Sequence, residues 1–180
     1  MRSSVFVPVA ALCAASLAGC GSSASKEEAV AAWGATQVAL AKAASAAAQS
    51  SGLSATERPL TVSASNVSCG GGGTLGVTGS YETGGTGSYS FDLGVTFDGC
   101  VETGLTMTGD INYATDYQLG SNYTLSSATI TMTGSVDYSG QIDASCDFDV
   151  TISGNATSWS ISGSICGIDV KEAGISYYGG

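Results

Sequence analysis

From residue 60 onward, apolar and polar positions alternate. In Tyr89-Ser90-Phe91-Asp92-Leu93-Gly94-Val95-Thr96-Phe97 every odd-numbered residue is apolar and every even-numbered one is polar or Gly. Leu105-Thr106-Met107-Thr108-Gly109-Asp110-Ile111-Asn112-Tyr113 repeats the pattern, as do residues 128–138 and 142–153. A period of two marks a strand with one buried face. A five-residue theme recurs from Leu75, Leu105, Ile130, Val150 and Trp159, with starts 30, 25, 20 and 9 residues apart. A solenoid requires a constant period, so unequal hairpins fit better.

Folding the chain about its Gly-rich points predicts the pairing. A turn at Gly84 sets Val77 opposite Phe91, and a loop over 98–102 sets Phe91 opposite Gly109. Turns at Gly120-Ser121, Gly140 and Asn155-Ala156 set Met107 opposite Gly134, Gly134 opposite Cys146, and Phe148 opposite Gly163. Large residues repeatedly face Gly, which suits a strongly curved sheet. The expected fold is mainly β: a curved antiparallel meander of seven or eight strands, a small barrel or half-barrel, preceded by one Ala-rich α-helix.

That helix is expected over residues 26–50. Ser25 is placed to cap it, and Glu27 and Glu28 suit its N-terminal dipole. Val30, Trp33, Leu40 and Ala44 share a stripe that Gln37 interrupts. Such a helix either packs on the sheet or serves as a spacer or oligomerising element near a membrane. Ser50-Ser51-Gly52 ends it, and Arg58-Pro59 marks the boundary. The apolar sheet face needs a cover. Closure into a barrel, the helix lying on a half-barrel, or lipid around a transmembrane barrel would each supply one. The last would enclose about a dozen acids in its lumen, which weakens it.

The N-terminus carries an address. Met1-Arg2 precedes a largely apolar stretch from Val5 to Leu17, too short to span a bilayer. It closes with Leu17-Ala18-Gly19-Cys20. This resembles the lipobox of bacterial lipoproteins. The resemblance implies removal of residues 1–19, a diacylglyceryl group on the Cys20 thiol, acylation of its new amine, and a short tether over 20–25. It also implies anchoring on the extracytoplasmic side of an envelope membrane through palmitate-like chains. Gly21, not Asp, follows the Cys, which implies the outer membrane if the host has one. Acyl chains contribute roughly 0.8 kcal/mol per buried CH₂, so several hold firmly.

Charge narrows the function. Five Lys+Arg stand against 15 Asp+Glu, with no His, for a net charge of −10. Such a surface cannot neutralise a phosphate backbone, so no nucleic-acid partner is expected. Mechanisms built on histidine are excluded. Residues 60–180 hold 12 acids and one base, Lys171. The acids fall on the polar face, where they keep it solvated and discourage stacking of sheets. The predicted pairing sets Asp137 opposite Asp143, and Asp98 and Glu102 share one loop. A Ca²⁺ ion could bridge either pair, although no EF-hand spacing exists. The Thr rows at 106, 108, 131 and 133 reflect β-propensity on an exposed face.

Four cysteines remain in the β region: Cys69, Cys100, Cys146 and Cys166. An exported chain with an even count predicts two disulfides. Cys69 and Cys100 are equidistant from the Gly84-Gly85 turn, and Cys146 and Cys166 from Ala156. This favours 69–100 and 146–166, each bridging adjacent strands, with bulges at 70–73 and near 163–167 correcting the register. The CxxC spacing of zinc sites is absent. No catalytic residue, metal or cofactor is expected. The functional expectation is an envelope-anchored, non-catalytic structural or interaction module, held to the membrane through Cys20 and meeting an envelope protein. The alternative is a carrier holding an apolar small molecule on the sheet's apolar face.

Overall fold

The computed structural model describes residues 24–50, 60–85 and 87–176. The signal segment 1–19, Cys20, most of the tether and the Arg58-Pro59 boundary lie outside the described residues. One helix, α1 (Lys26–Ser50), precedes eight strands: β1 (Leu60–Ser68), β2 (Thr74–Thr83), β3 (Ser88–Glu102), β4 (Leu105–Leu119), β5 (Leu125–Gly140), β6 (Ala144–Gly154), β7 (Trp159–Ile165) and β8 (Ile168–Asp169). The strands form one antiparallel sheet in sequence order, open between β1 and β8. The half-barrel with α1 on its apolar face is therefore the arrangement adopted.

Helix α1 starts with a capping box. The Ser25 amide donates to Glu28 Oε2 at 2.6 Å, and the Glu28 amide donates to Ser25 Oγ at 3.2 Å. These bonds satisfy donors that a helix start leaves open. The Ser25 amide first, and the Ser25 hydroxyl second, also hold the Glu28 carboxyl below the usual range. Ala24, just before the cap, is already packed in the core.

The predicted faces are correct, but the pairing is displaced. Val77 pairs with Val95 rather than Phe91, and Phe91 with Thr115 rather than Gly109. Met107 pairs with Tyr138, Gly134 with Phe148, and Phe148 with Ile165. Each displacement is an even number of residues, so every side chain keeps its face. Turn placement is the cause. Strand β3 runs through the predicted 98–102 loop and reverses at Thr103-Gly104, where both φ angles are positive, 51° and 83°. That is the sign pattern of a tight two-residue hairpin turn.

Large residues do face Gly, with different partners. Gly79 lies between Val62 and Leu93, Gly109 between Phe97 and Val136, and Gly134 between Ile111 and Phe148. Gly109 and Gly134 sit diagonally across the β4–β5 pair with φ of 136° and 142°. A methyl group at either would overlap a carbonyl oxygen of the facing strand, Ser135 or Asp110. The strands therefore approach and bend where a side chain would stop them. Gly134→Ala is expected to lower unfolding free energy by about 2–3 kcal/mol or more. Gly76→Ala, where a methyl would meet nothing within 4 Å, is expected to change it by less than about 1 kcal/mol. Urea unfolding of the oxidised proteins measures both.

Candidate functional site

The seat of α1 defines the concave face. Ala29, Ala32, Ala35, Thr36, Ala39, Ala43 and Ala47 are fully buried, and Leu40 nearly so. The expected stripe of Val30, Trp33, Leu40 and Ala44 is corrected by this: Val30 is 44% exposed and Ala44 is exposed, while Trp33 is half-buried. Small side chains face the sheet because the concave side is already filled by Phe97, Met107, Ile111 and Val136. Alanines let the helix backbone come close without overpacking. The spacer reading of the helix gives way to the packed one.

Three polar contacts fix the helix along its length. Thr36 Oγ1 and the Tyr138 hydroxyl are hydrogen-bonded, and Tyr138 also donates to the Ala32 carbonyl at 3.3 Å. Burial pushes the Tyr138 hydroxyl well above its ordinary pKa, with the Thr36 bond opposing, so it stays neutral. Gln37, which interrupts the predicted stripe, donates from Nε2 to Met132 Sδ at 3.3 Å. Lys42 forms an ion pair with Glu102 at the end of β3; their side chains are 34% and 6% exposed. The same Glu102 oxygen accepts the Gly70 amide at 2.8 Å. A carboxylate engaged in this way does not form a calcium site with Asp98, which is exposed.

The cysteines explain why Gly70 is there. Cys69 and Cys100 are bonded, with Cα atoms 5.4 Å apart, and Cys146 and Cys166 are bonded at 3.9 Å. The pairing is the expected one. The first bridge, however, does not join neighbouring strands. It runs from the β1–β2 turn to β3, across the end of β2. Residues 70–73 form a turn rather than a bulge, held by Gly71 N to Val101 O and Val101 N to Gly72 O, both 2.9 Å. The register shifts fall instead between Ala64 and Val67, between Phe97 and Cys100, and between Gln118 and Leu119. Cys166 and Gly167 form the tight β7–β8 turn with φ of 53° and 78°. In the chain-entropy model each bridge contributes roughly 3–4 kcal/mol. Cys69, Cys100 and Glu102 lie close together, but both sulfurs are spent in the disulfide.

Beyond the helix, the concave face continues as an aromatic row. The Tyr89 and Tyr117 rings stack at 5.0 Å, Tyr81 and Tyr89 at 6.4 Å, and Phe91 meets Tyr81 edge-on at 6.5 Å. All four are half-buried. Burial and then the Tyr81 hydroxyl beside it raise the Tyr117 pKa. Two hydroxyls on this end, Thr83 Oγ1 and Thr115 Oγ1, are buried without a hydrogen-bond partner. An apolar groove of about 220 Å³ lies between the C-terminal part of α1 and β1–β3, lined by Ala44, Ala47, Ala48, Leu60, Val62, Tyr81 and Phe91. Trp159 is half-buried over Gly154.

The convex face carries the acids singly. Asp92, Asp110, Asp116, Asp137, Asp147 and Asp149 each face Ser, Thr or Ala across the ladder. Asp137 lies between Thr108 and Ser145, not opposite Asp143. The displaced register separates the predicted pair, and the like-charge argument for calcium disappears with it. Among the described residues no helix is long and apolar enough to cross a membrane. No protein-family model, curated protein or solved structure matches this chain.

Thr36, Lys42 and Tyr138 were not identifiable as a set from sequence. The available signals were Thr36 within an Ala-rich run and Lys42 as the helix's cation beyond its first residue, and neither names a partner. Lys42→Met leaves the Glu102 carboxylate with the Gly70 amide alone. The expected cost is below the roughly 3–5 kcal/mol of a fully buried pair, because Lys42 is partly solvated. Glu102→Gln with Lys42→Met should recover part of it, read by thermal unfolding. Tyr138 binds its proton more tightly folded than unfolded, so its contribution is intact below about pH 10 and falls as pH rises beyond that. Tyr138→Phe should cost about 1–3 kcal/mol at neutral pH and flatten that alkaline decline.

Proposed function

We propose that the chain is an envelope-anchored, non-catalytic interaction module. The lipid on Cys20 attaches it to a membrane on the extracytoplasmic side, the outer one where the host has two. Its contact surface is the aromatic end of the concave face. The observation that carries this reading is the partial cover: α1 fills one end of the face with fitted alanines and leaves Tyr81, Tyr89, Phe91 and Tyr117 half-exposed at the other. Aromatic side chains supply much of the energy at protein–protein contacts. An envelope protein is the partner class that suits them. Only residues 21–23 separate Cys20 from the packed Ala24, a reach of at most about 14 Å. The module would thus sit close to the membrane surface.

The apolar groove beside α1 supports a second reading, a carrier of an apolar small molecule. Its volume of about 220 Å³ lies below the roughly 300–1,000 Å³ of typical ligand sites. The module is therefore the better supported of the two.

Intact and native mass spectrometry of the full chain, purified from bacterial membranes, tests both. The module reading expects loss of residues 1–19, an acylated Cys20, a polypeptide four hydrogens lighter than its reduced form, and no bound small molecule. Cys20→Ala should release the protein from membranes. A chemically uniform, non-covalent mass of several hundred daltons would replace the module with the carrier. An unlipidated Cys20 would overturn the anchoring.

A further inference from the structure

We infer that β1 is a docking edge for a second copy of this chain, the two β1 strands pairing antiparallel about a two-fold axis. Three independent observations converge on that edge.

The first is free backbone. β1 is the outermost strand of an open sheet and pairs only with β2. An unprotected edge presents a row of donors and acceptors to any strand that fits. At the far side the chain doubles back, and β8 pairs with Ser164 and Ile165 at the end of β7. That cover reaches only two of the seven β7 residues, and among the described residues no strand pairs with the outer side of β1 at all.

The second is charge. Strands β2 to β6 and β8 each carry at least one acid, whereas β1, Leu-Thr-Val-Ser-Ala-Ser-Asn-Val-Ser, and β7 carry none; of the two, β1 is the one beside the apolar groove. Edge strands that avoid pairing usually carry charge. In this domain 12 acids face one base, so most approaches between two copies bring like charges together. The β1 edge is an approach that brings no strand charge against its mate.

The third is the groove. Leu60 and Val62 point to the concave side and line the apolar groove beside Ala44, Ala47 and Ala48. A two-fold β1–β1′ pair puts both concave faces on one side of a continued sheet. Each groove then adjoins its symmetry mate, and apolar surface exposed in one copy is covered by the other. The bulge between Ala64 and Val67, with Asn66 at φ 56°, ends the regular part of the edge. Pairing is therefore confined to residues 60–64, whose Leu-Thr-Val-Ser-Ala pattern alternates as the partner strand requires.

The test uses charge at Thr61 and Ser63, both exposed on the convex side. Sedimentation equilibrium is run on the full chain in density-matched detergent, over a hundredfold concentration range. The native chain is expected at twice the protomer mass. T61K/S63K and T61E/S63E are each expected at the single mass, and an equimolar mixture at twice it, because opposite charges then face each other. Circular dichroism and the two disulfides establish that each variant is folded. The inference is overturned if the native chain remains single at the highest concentration. It is also overturned if the Lys variant stays paired, or if S160K/S162K on β7 separates the copies while T61K/S63K does not. The readout does not depend on Cys20, so failure of the anchoring and failure of the edge are distinguishable.

Discussion

An open, curved sheet has one apolar side that it cannot cover by itself, and the docking of α1 answers that constraint. The helix does so with its smallest residues. Ala29, Ala32, Ala35, Ala39, Ala43 and Ala47 lie against a floor of Phe97, Met107, Ile111 and Val136. The bulk resides in the sheet and the fit in the helix. Direction comes from three polar anchors along the helix, at Thr36, Gln37 and Lys42. Apolar burial alone is non-directional and would tolerate a helix slid along the trough. The Lys42–Glu102 pair resists such sliding, because Glu102 is itself held by the Gly70 amide and Gly70 by the neighbouring disulfide.

The architecture was legible from period-two alternation, because a strand's face depends only on parity. The register was not. Reflection about a Gly-rich point assumes a symmetric turn, yet β3 passes through its predicted loop to reverse at Thr103-Gly104, where Thr takes a backbone conformation usually left to Gly or Asn. The disulfide pairing survived because equal spacing from a turn tolerates small errors. The strands it joins did not, since the turn after Cys69 curls across β2. On the helix, hydrophobicity pointed to Val30 and Ala44, whereas the buried face is the one that fits a crowded concave surface. Size rather than polarity selected it. A single-chain pattern carries little information about what a partner surface leaves room for.

The two faces of the sheet solve different electrostatic problems. On the convex side, Ser and Thr separate the carboxylates, and Asp110 accepts from Thr96 Oγ1 at 2.7 Å. A surface with few bases thus avoids directly opposed acids without needing a cation. On the concave side the ionisable groups are tied down: Glu102 by Lys42, and Tyr138 by burial and Thr36. The aromatic row at the other end is the part where polar groups, the Thr83 and Thr115 hydroxyls, lack such partners.

Strand order has a consequence for how the molecule assembles. Each strand pairs with its neighbours in the chain, so the sheet can grow by adding one hairpin at a time. Low sequence separation of this kind favours fast folding. The helix reverses that order. It is made first, yet its Thr36 partner lies 102 residues downstream, and it touches β6 and β7 as well as β1. During synthesis the N-terminal segment meets β1–β3 first, and its Thr36 and Gln37 anchors stay unmatched until β5 has formed. Locking of the helix is then a late event that depends on β5: a chain truncated before it would keep the β1–β3 surface but lose the Met132 and Tyr138 contacts that fix α1 in place.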